Sequence, residues 1–171
     1  MDRKEELKKR IAINSLKNTI KMNLPSFTLI KIYERNEADF AYYSEKISEN
    51  SHLFKNLKLD EKLSPIGNSD AHYCEWILSE VPDISDLDEW LVTSYGSLGY
   101  WAKIKSGNRL YAIRELWNMD KETDRQTRGY VKGFYAINIS ASMIIQVGCF
   151  LGGHDRSYNS ENYYTLTTLK I

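Results

Sequence analysis

The chain has 171 residues, 42% hydrophobic and 27% charged, with nine Gly and three Pro, which excludes a disordered chain and suits one domain with a full core. Lys plus Arg and Asp plus Glu number 23 each, so the formal charge is zero, and a pI near 6.8 is far below that of a nucleic-acid-binding domain. Two cysteines, Cys74 and Cys149, offer neither a disulfide framework nor zinc-ligand spacing.

Residues 2 to 22 have helix-forming composition and a formal charge of +4. Leu7 and Ile11 project to one side of such a helix and Ile13, Leu16 and Ile20 to the other, which predicts either a long helix clamped from two sides or a break near Asn14. No apolar segment follows the charged first ten residues, so no signal peptide is expected and the expected compartment is the cytoplasm. After Pro25, the β-rich run 27–33 predicts the first strand. Asn36 is placed to cap a helix with Phe40, Tyr43, Ile47, Phe54 and Leu57 on one stripe.

The pattern over 69–81 is the best-defined helix. Ser69 is its N-cap, Ala71, Cys74, Ile77, Leu78 and Val81 form its apolar face, and Pro82 stops it. A further helix is predicted from Ser85, with Asp88 at the capping-box position and Leu87, Trp90 and Leu91 turned inward.

From Tyr100 the hydrophobic period moves toward two. Strands over 100–105 and 109–117 are predicted on either side of Ser106-Gly107-Asn108, a three-residue hairpin turn, and 118–129 reads as a polar loop. Strands over 130–139, 143–150 and 163–171 follow. The run 133–153 carries no charge and at 21 residues could cross a bilayer, but Asn138, Ser140, Ser142, Gln146 and four glycines divide it, so it reads as two buried strands. The expected fold is a single α+β domain over 1–171, with helices mainly in the N-terminal half packed on a mostly antiparallel sheet of five or six strands from the C-terminal half.

Charge is unevenly divided along the chain. Asp60, Glu61, Asp70, Glu75, Glu80, Asp83, Asp86, Asp88 and Glu89 face one cation, Lys62, giving the block a formal charge of −8. A local field of one sign steers partners of the other. On the 69–81 helix, His72 and Trp76 lie about one turn apart on the side opposite Ile77 and Leu78, beside Glu75 and Glu80. An outward Trp flanked by carboxylates is the composition of a binding anchor for a cationic partner. Asp83, Asp86 and Asp88 also have a purely local use, at the positive end of a helix dipole. The segment 83–89 lacks the central Gly and alternating oxygen ligands of a calcium loop.

Other chemistries are weaker. His154-Asp155-Arg156-Ser157 follows Gly152-Gly153 in a loop over 152–157, where His154 could act as a general base and Arg156 could hold an anion. No nucleophile elbow or paired histidine motif supports a hydrolase there. Asp120, Glu122 and Asp124 read as a solvated turn. Lys103, Lys105, Arg109, Arg114, Arg125, Arg128 and Lys132 interleave with Trp101, Tyr111, Trp117 and Tyr130, a composition that could make an RNA-stacking sheet face. Alternation divides them between two faces. Tyr42, Tyr158, Tyr163 and Tyr164 lie in polar surroundings, which predicts exposure suited to an interface.

The sequence therefore leads to the expectation of a non-enzymatic inhibitor, of the kind that neutralises a toxin as an immunity protein does, binding a basic partner such as a nuclease. The expected contact residues are His72, Glu75, Trp76, Glu80, Asp83, Asp86, Asp88 and Glu89. No catalytic residue, metal or cofactor is assigned, and neither nucleic acid nor a membrane is an expected partner. A hydrolase at 152–157 and an RNA-binding regulator using the sheet are the alternatives.

Overall fold

The computed structural model describes residues 2–34, 36–53, 60–65, 67–94, 99–123, 130–150 and 163–171. Asp2 accepts a hydrogen bond from Lys4 N and starts α1 (Arg3–Asn23), which runs unbroken through Asn14 until Leu24 and Pro25 end it. Ala12, Leu16 and Ile20 are buried, while Leu7 and Ile11 are about 60% exposed, so the helix is packed from one side only. Strand β1 (Thr28–Tyr33) follows as predicted. Then comes a 3-10 turn (Ala38–Phe40) and α2 (Ala41–Leu53), with Glu37 rather than Asn36 preceding the turn. Phe54 and Leu57 lie outside the described residues.

A short strand, β2 (Asp60–Pro65), precedes α3 (Asp70–Glu80), whose N-cap Ser69 accepts from His72 N. The helix predicted from Ser85 does not form. Ser85 N donates to Asp88 Oδ2, as a capping box would begin, but the chain turns instead and enters β3 (Glu89–Val92). Three consecutive buried side chains explain this: Trp90 and Val92 enter one core and Leu91 the other, the pattern of a strand covered on both faces. Strand β4 (Trp101–Lys105) matches its prediction, but 109–117 is a helix, α4 (Arg109–Trp117). Asn108, read as a hairpin residue, caps it by accepting from Leu110 N and Tyr111 N, and Ala112, Ile113, Leu116 and Trp117 are buried at helical spacing.

The predicted polar loop contains β5 (Asp120–Thr123), which pairs with the start of β6 (Tyr130–Asn138). The uncharged run supplies most of β6 and all of β7 (Met143–Phe150), an antiparallel pair, and β8 (Tyr163–Lys170) completes the set. Among the described residues no helix is long and apolar enough to cross a membrane. The fold is α+β: the described strands form an eight-stranded antiparallel sheet in the order β1-β4-β3-β6-β7-β8-β2, with β5 on β6. Six of them follow residue 88, and β1 and β2 supply the two ends of the order.

Each sheet face has its own core. On one, Leu16 and Ile20 of α1, Tyr73, Cys74 and Ile77 of α3, and Ala112, Ile113, Leu116 and Trp117 of α4 pack against Trp90, Ile104, Phe134, Ile145 and Leu166. On the other, Phe40 with Tyr43 and Ile47 of α2 packs against Leu91, Trp101, Ile137 and Ile144. The three-helix layer thus shows its outer side to solvent, with α3 against α4 and α4 tied to α1 through Asn23 Nδ2 donating to Met119 O.

Candidate functional site

The α3 helix presents the residues singled out from the sequence. Tyr73, Cys74, Ile77 and, just beyond the helix, Val81 form its buried side. Tyr73 takes the inward place predicted for Ala71, which is exposed. The Tyr73 ring stacks on Trp117 at 5.1 Å and meets the edge of Tyr164 at 4.7 Å, anchoring α3 to α4 and β8. Tyr164 is therefore core, not the exposed aromatic that its polar neighbours suggested, whereas Tyr42 is exposed. Tyr158 and the Tyr163 side chain lie outside what is described.

Opposite that buried side, His72, Glu75 and Ser79 are exposed, and Glu80 is exposed at its margin near the end of the helix. Trp76 shares their arc but is half-buried against the main core, so it offers an interface one flank and not a free-standing anchor. Neither Glu75 nor Glu80 joins an ion pair among the described residues.

The rest of the acidic block is largely neutralised or redirected. Asp70 pairs with Lys132 and accepts from Trp117 Nε1 at 3.0 Å. Asp83 pairs with Lys170 at 2.9 Å, both side chains more than half exposed, which makes this a weak surface bridge that a competing cation can displace. Asp86 accepts from Arg109 N at 3.0 Å, so it holds the start of α4.

Two predicted contact residues leave the surface patch. Asp88 is 1% exposed and accepts from Ser85 and from Asn138 Nδ2. Burial pushes its carboxyl up, but the hydrogen bonds of Ser85, Asn138 and Ser140 outweigh it and hold the group below the ordinary carboxylate range. A residue so enclosed cannot touch a partner. Glu89 points to the opposite sheet face from α3, because it alternates with Trp90, and bonds Lys103 at 2.7 Å. That contact raises the Lys103 pKa. Asp60 and Glu61 lie on β2, and their side chains are not among those described.

Local spacing could not reveal the neutralising partners, since Lys132 is 62 residues from Asp70 and meets it only through the fold. The basic and aromatic set proposed as an RNA-stacking sheet is dispersed. Arg109, Tyr111, Arg114 and Trp117 are on α4, Trp101 and Trp117 are buried, and Lys103 and Lys132 are paired. Arg125, Arg128 and the 152–157 loop with His154 lie outside the described residues. Among the described residues no three His, Cys, Asp or Glu side chains gather as a metal site. Comparison with protein-family models, curated proteins and solved structures finds no match.

Proposed function

We propose that this chain is a non-enzymatic protein-binding inhibitor of the immunity type, which occludes a basic partner such as a nuclease toxin through the outer face of α3. The observation that carries the reading is the pair Glu75 and Glu80, exposed and outside any ion pair among the described residues, on a helix whose other side is locked into the core. His72 and the open flank of Trp76 lie between them, and Asp83 and Asp86 continue the negative charge beyond the helix end. A groove that binds polyanionic substrate is cationic, and carboxylates on a rigid helix suit the places that phosphates would take.

The test uses Glu75→Lys/Glu80→Lys, which spares Asp86 and its bond to Arg109 N. The wild-type chain is used to capture its partner from producing cells, and association with that purified partner is then followed at rising salt. The double variant is expected to associate more slowly, with a flatter salt dependence, because these charges steer encounter. Equal rates for wild type and variant would remove this face from the interaction.

A further inference from the structure

The clearest one-signed surface among the described residues is positive, and it lies on α1. At about 100° per residue, eleven side chains share the half of the helix turned away from Ala12, Leu16 and Ile20. Five are cations, Arg3, Lys4, Arg10, Lys17 and Lys21, with Lys8 at one edge of the arc, and all six of these side chains are exposed. None forms an ion pair among the described residues. Of the two carboxylates of the helix, Glu5 falls outside this arc and Glu6 stands at the edge opposite Lys8. Down its middle runs a line of large apolar side chains, Leu7 at 59%, Ile11 at 60% and Met22 at 78% exposure.

We propose that this face of α1 docks on an anionic phospholipid surface, with the helix lying along the headgroup layer. Cations on both sides of an apolar line match that layer: Leu7, Ile11 and Met22 reach toward the acyl boundary while the Lys and Arg stems extend to the phosphates. The spacing argues against a protein groove. A groove takes apolar knobs at i, i+3 or i+4 and i+7, whereas here Asn14, Ser15 and Asn18 separate Ile11 from Met22. A plane imposes no such register, and the line from Leu7 to Met22 is about 22 Å of straight helix. A nucleic acid has no use for the apolar line.

Such docking departs from the sequence-based expectation that a membrane is not a partner, an expectation that weighed only the uncharged run 133–153 and not the exposed face of α1. The surface is also separate from α3. Lys9 ties α1 to Glu34, just after the edge strand β1, whereas Tyr73 ties α3 to β8 near the other end of the sheet. A partner on α3 and a lipid surface on α1 therefore need not compete.

The test is flotation of the full chain with vesicles of phosphatidylcholine alone, or of phosphatidylcholine mixed with phosphatidylserine. Binding is expected only to the mixed vesicles and is expected to fall with added salt. Lys8→Gln and Arg10→Gln should each lower the partition coefficient about fivefold. Leu7→Ser/Ile11→Ser should weaken binding without changing its salt dependence, and Glu75→Lys/Glu80→Lys should not weaken it. Thermal melts matching wild type establish that the variants are folded. No binding to the mixed vesicles, equal binding to both kinds, or wild-type binding by the Lys8 and Arg10 variants would overturn the proposal. So would self-association in light scattering that Ile11→Ser abolishes, if the chain fails to float, since a second copy would then be the occupant.

Discussion

Asn138 Nδ2 donates to Asp88 Oδ2 at 2.6 Å, joining the end of β6 to the turn before β3 with both residues almost wholly enclosed. Ser85 N donates to the same carboxylate oxygen at 2.9 Å, and Asn138 Oδ1 accepts from Ala141 N at 2.8 Å. One carboxylate thus organises a turn, a strand end and a hairpin. Asp88→Ala leaves donors buried without an acceptor, and urea unfolding should show a loss of about 1–3 kcal/mol.

The same carboxylate gives a pH dependence whose sign follows from its depressed pKa. As pH falls, the unfolded chain takes up this proton first, near the ordinary value of about 3.9, and the folded chain only at lower pH. The contribution is complete above the unfolded value and is lost as pH falls through the folded one. Asp88→Asn should therefore be less stable than wild type at neutral pH, with the difference narrowing in acid. A constant difference across that range would remove Asp88 as its source.

Gly133 sits where β6 crosses between β5 and β7, and a Cβ there would lie 2.4 Å from Val147 O. A backbone oxygen on a paired strand cannot rotate aside as a side chain can. Gly133→Ala should cost about 1–3 kcal/mol by overpacking. Gly148→Ala is the control, because its Cβ would meet only Thr165 Oγ1 at 3.6 Å, an ordinary contact. Similar unfolding midpoints for the two variants would contradict the close approach.

The fold class was legible because periodicity is local: Tyr73 apart, the inward side of α3 and the strands β1, β4, β6, β7 and β8 could be read from spacing. The short strands β2 and β5 were not foreseen, and two further elements went astray for one reason. Asn108 and Ser85 each offer a polar side chain that suits a turn as well as a cap, and the neighbours that decide between them come from elsewhere in the chain. Ala112, Ile113, Leu116 and Trp117 make 109–117 helical by filling the core beneath α4, while Trp90 and Leu91 make 89–92 a strand by facing two cores. The acidic block misled in a similar way. Its sequence density was real, but Asp70, Asp88 and Glu89 meet Lys132, Asn138 and Lys103 only after folding. The two-sided apolar pattern of residues 2 to 22 misled too: it suggested a helix clamped from two sides or broken near Asn14, whereas Leu7 and Ile11 find no covering element among the described residues and α1 runs unbroken.

Asp70 separates a hydrogen-bond contribution from a charge contribution. It accepts from the Trp117 Nε1 at 3.0 Å and pairs with Lys132, and its own side chain is 56% exposed. Asp70→Ala removes the acceptor of a core indole and should cost about 1–2 kcal/mol, whereas Lys132→Ala should cost at most about 1 kcal/mol, in the range of partly screened surface pairs. A double-mutant cycle measures their coupling. A coupling as large as the whole cost of Asp70→Ala would show that the ion pair to β6, not the indole bond to α4, holds the start of α3.

Cys74 reports on whether α3 is the rigid platform that its outward carboxylates require. Burial pushes its thiol up to about 11, and the residue is 1% exposed beneath the helix. Both conditions suppress thiolate attack. With iodoacetamide at neutral pH and peptide-resolved mass spectrometry, the native chain should leave Cys74 unmodified for as long as it stays folded, and denaturant should restore labelling. Labelling then proceeds only through opening of the α3 contact with the core, so its rate measures how firmly Tyr73 and Ile77 hold the helix. Rapid modification under native conditions would mean that α3 opens readily, and a helix that opens readily presents Glu75 and Glu80 in no fixed geometry.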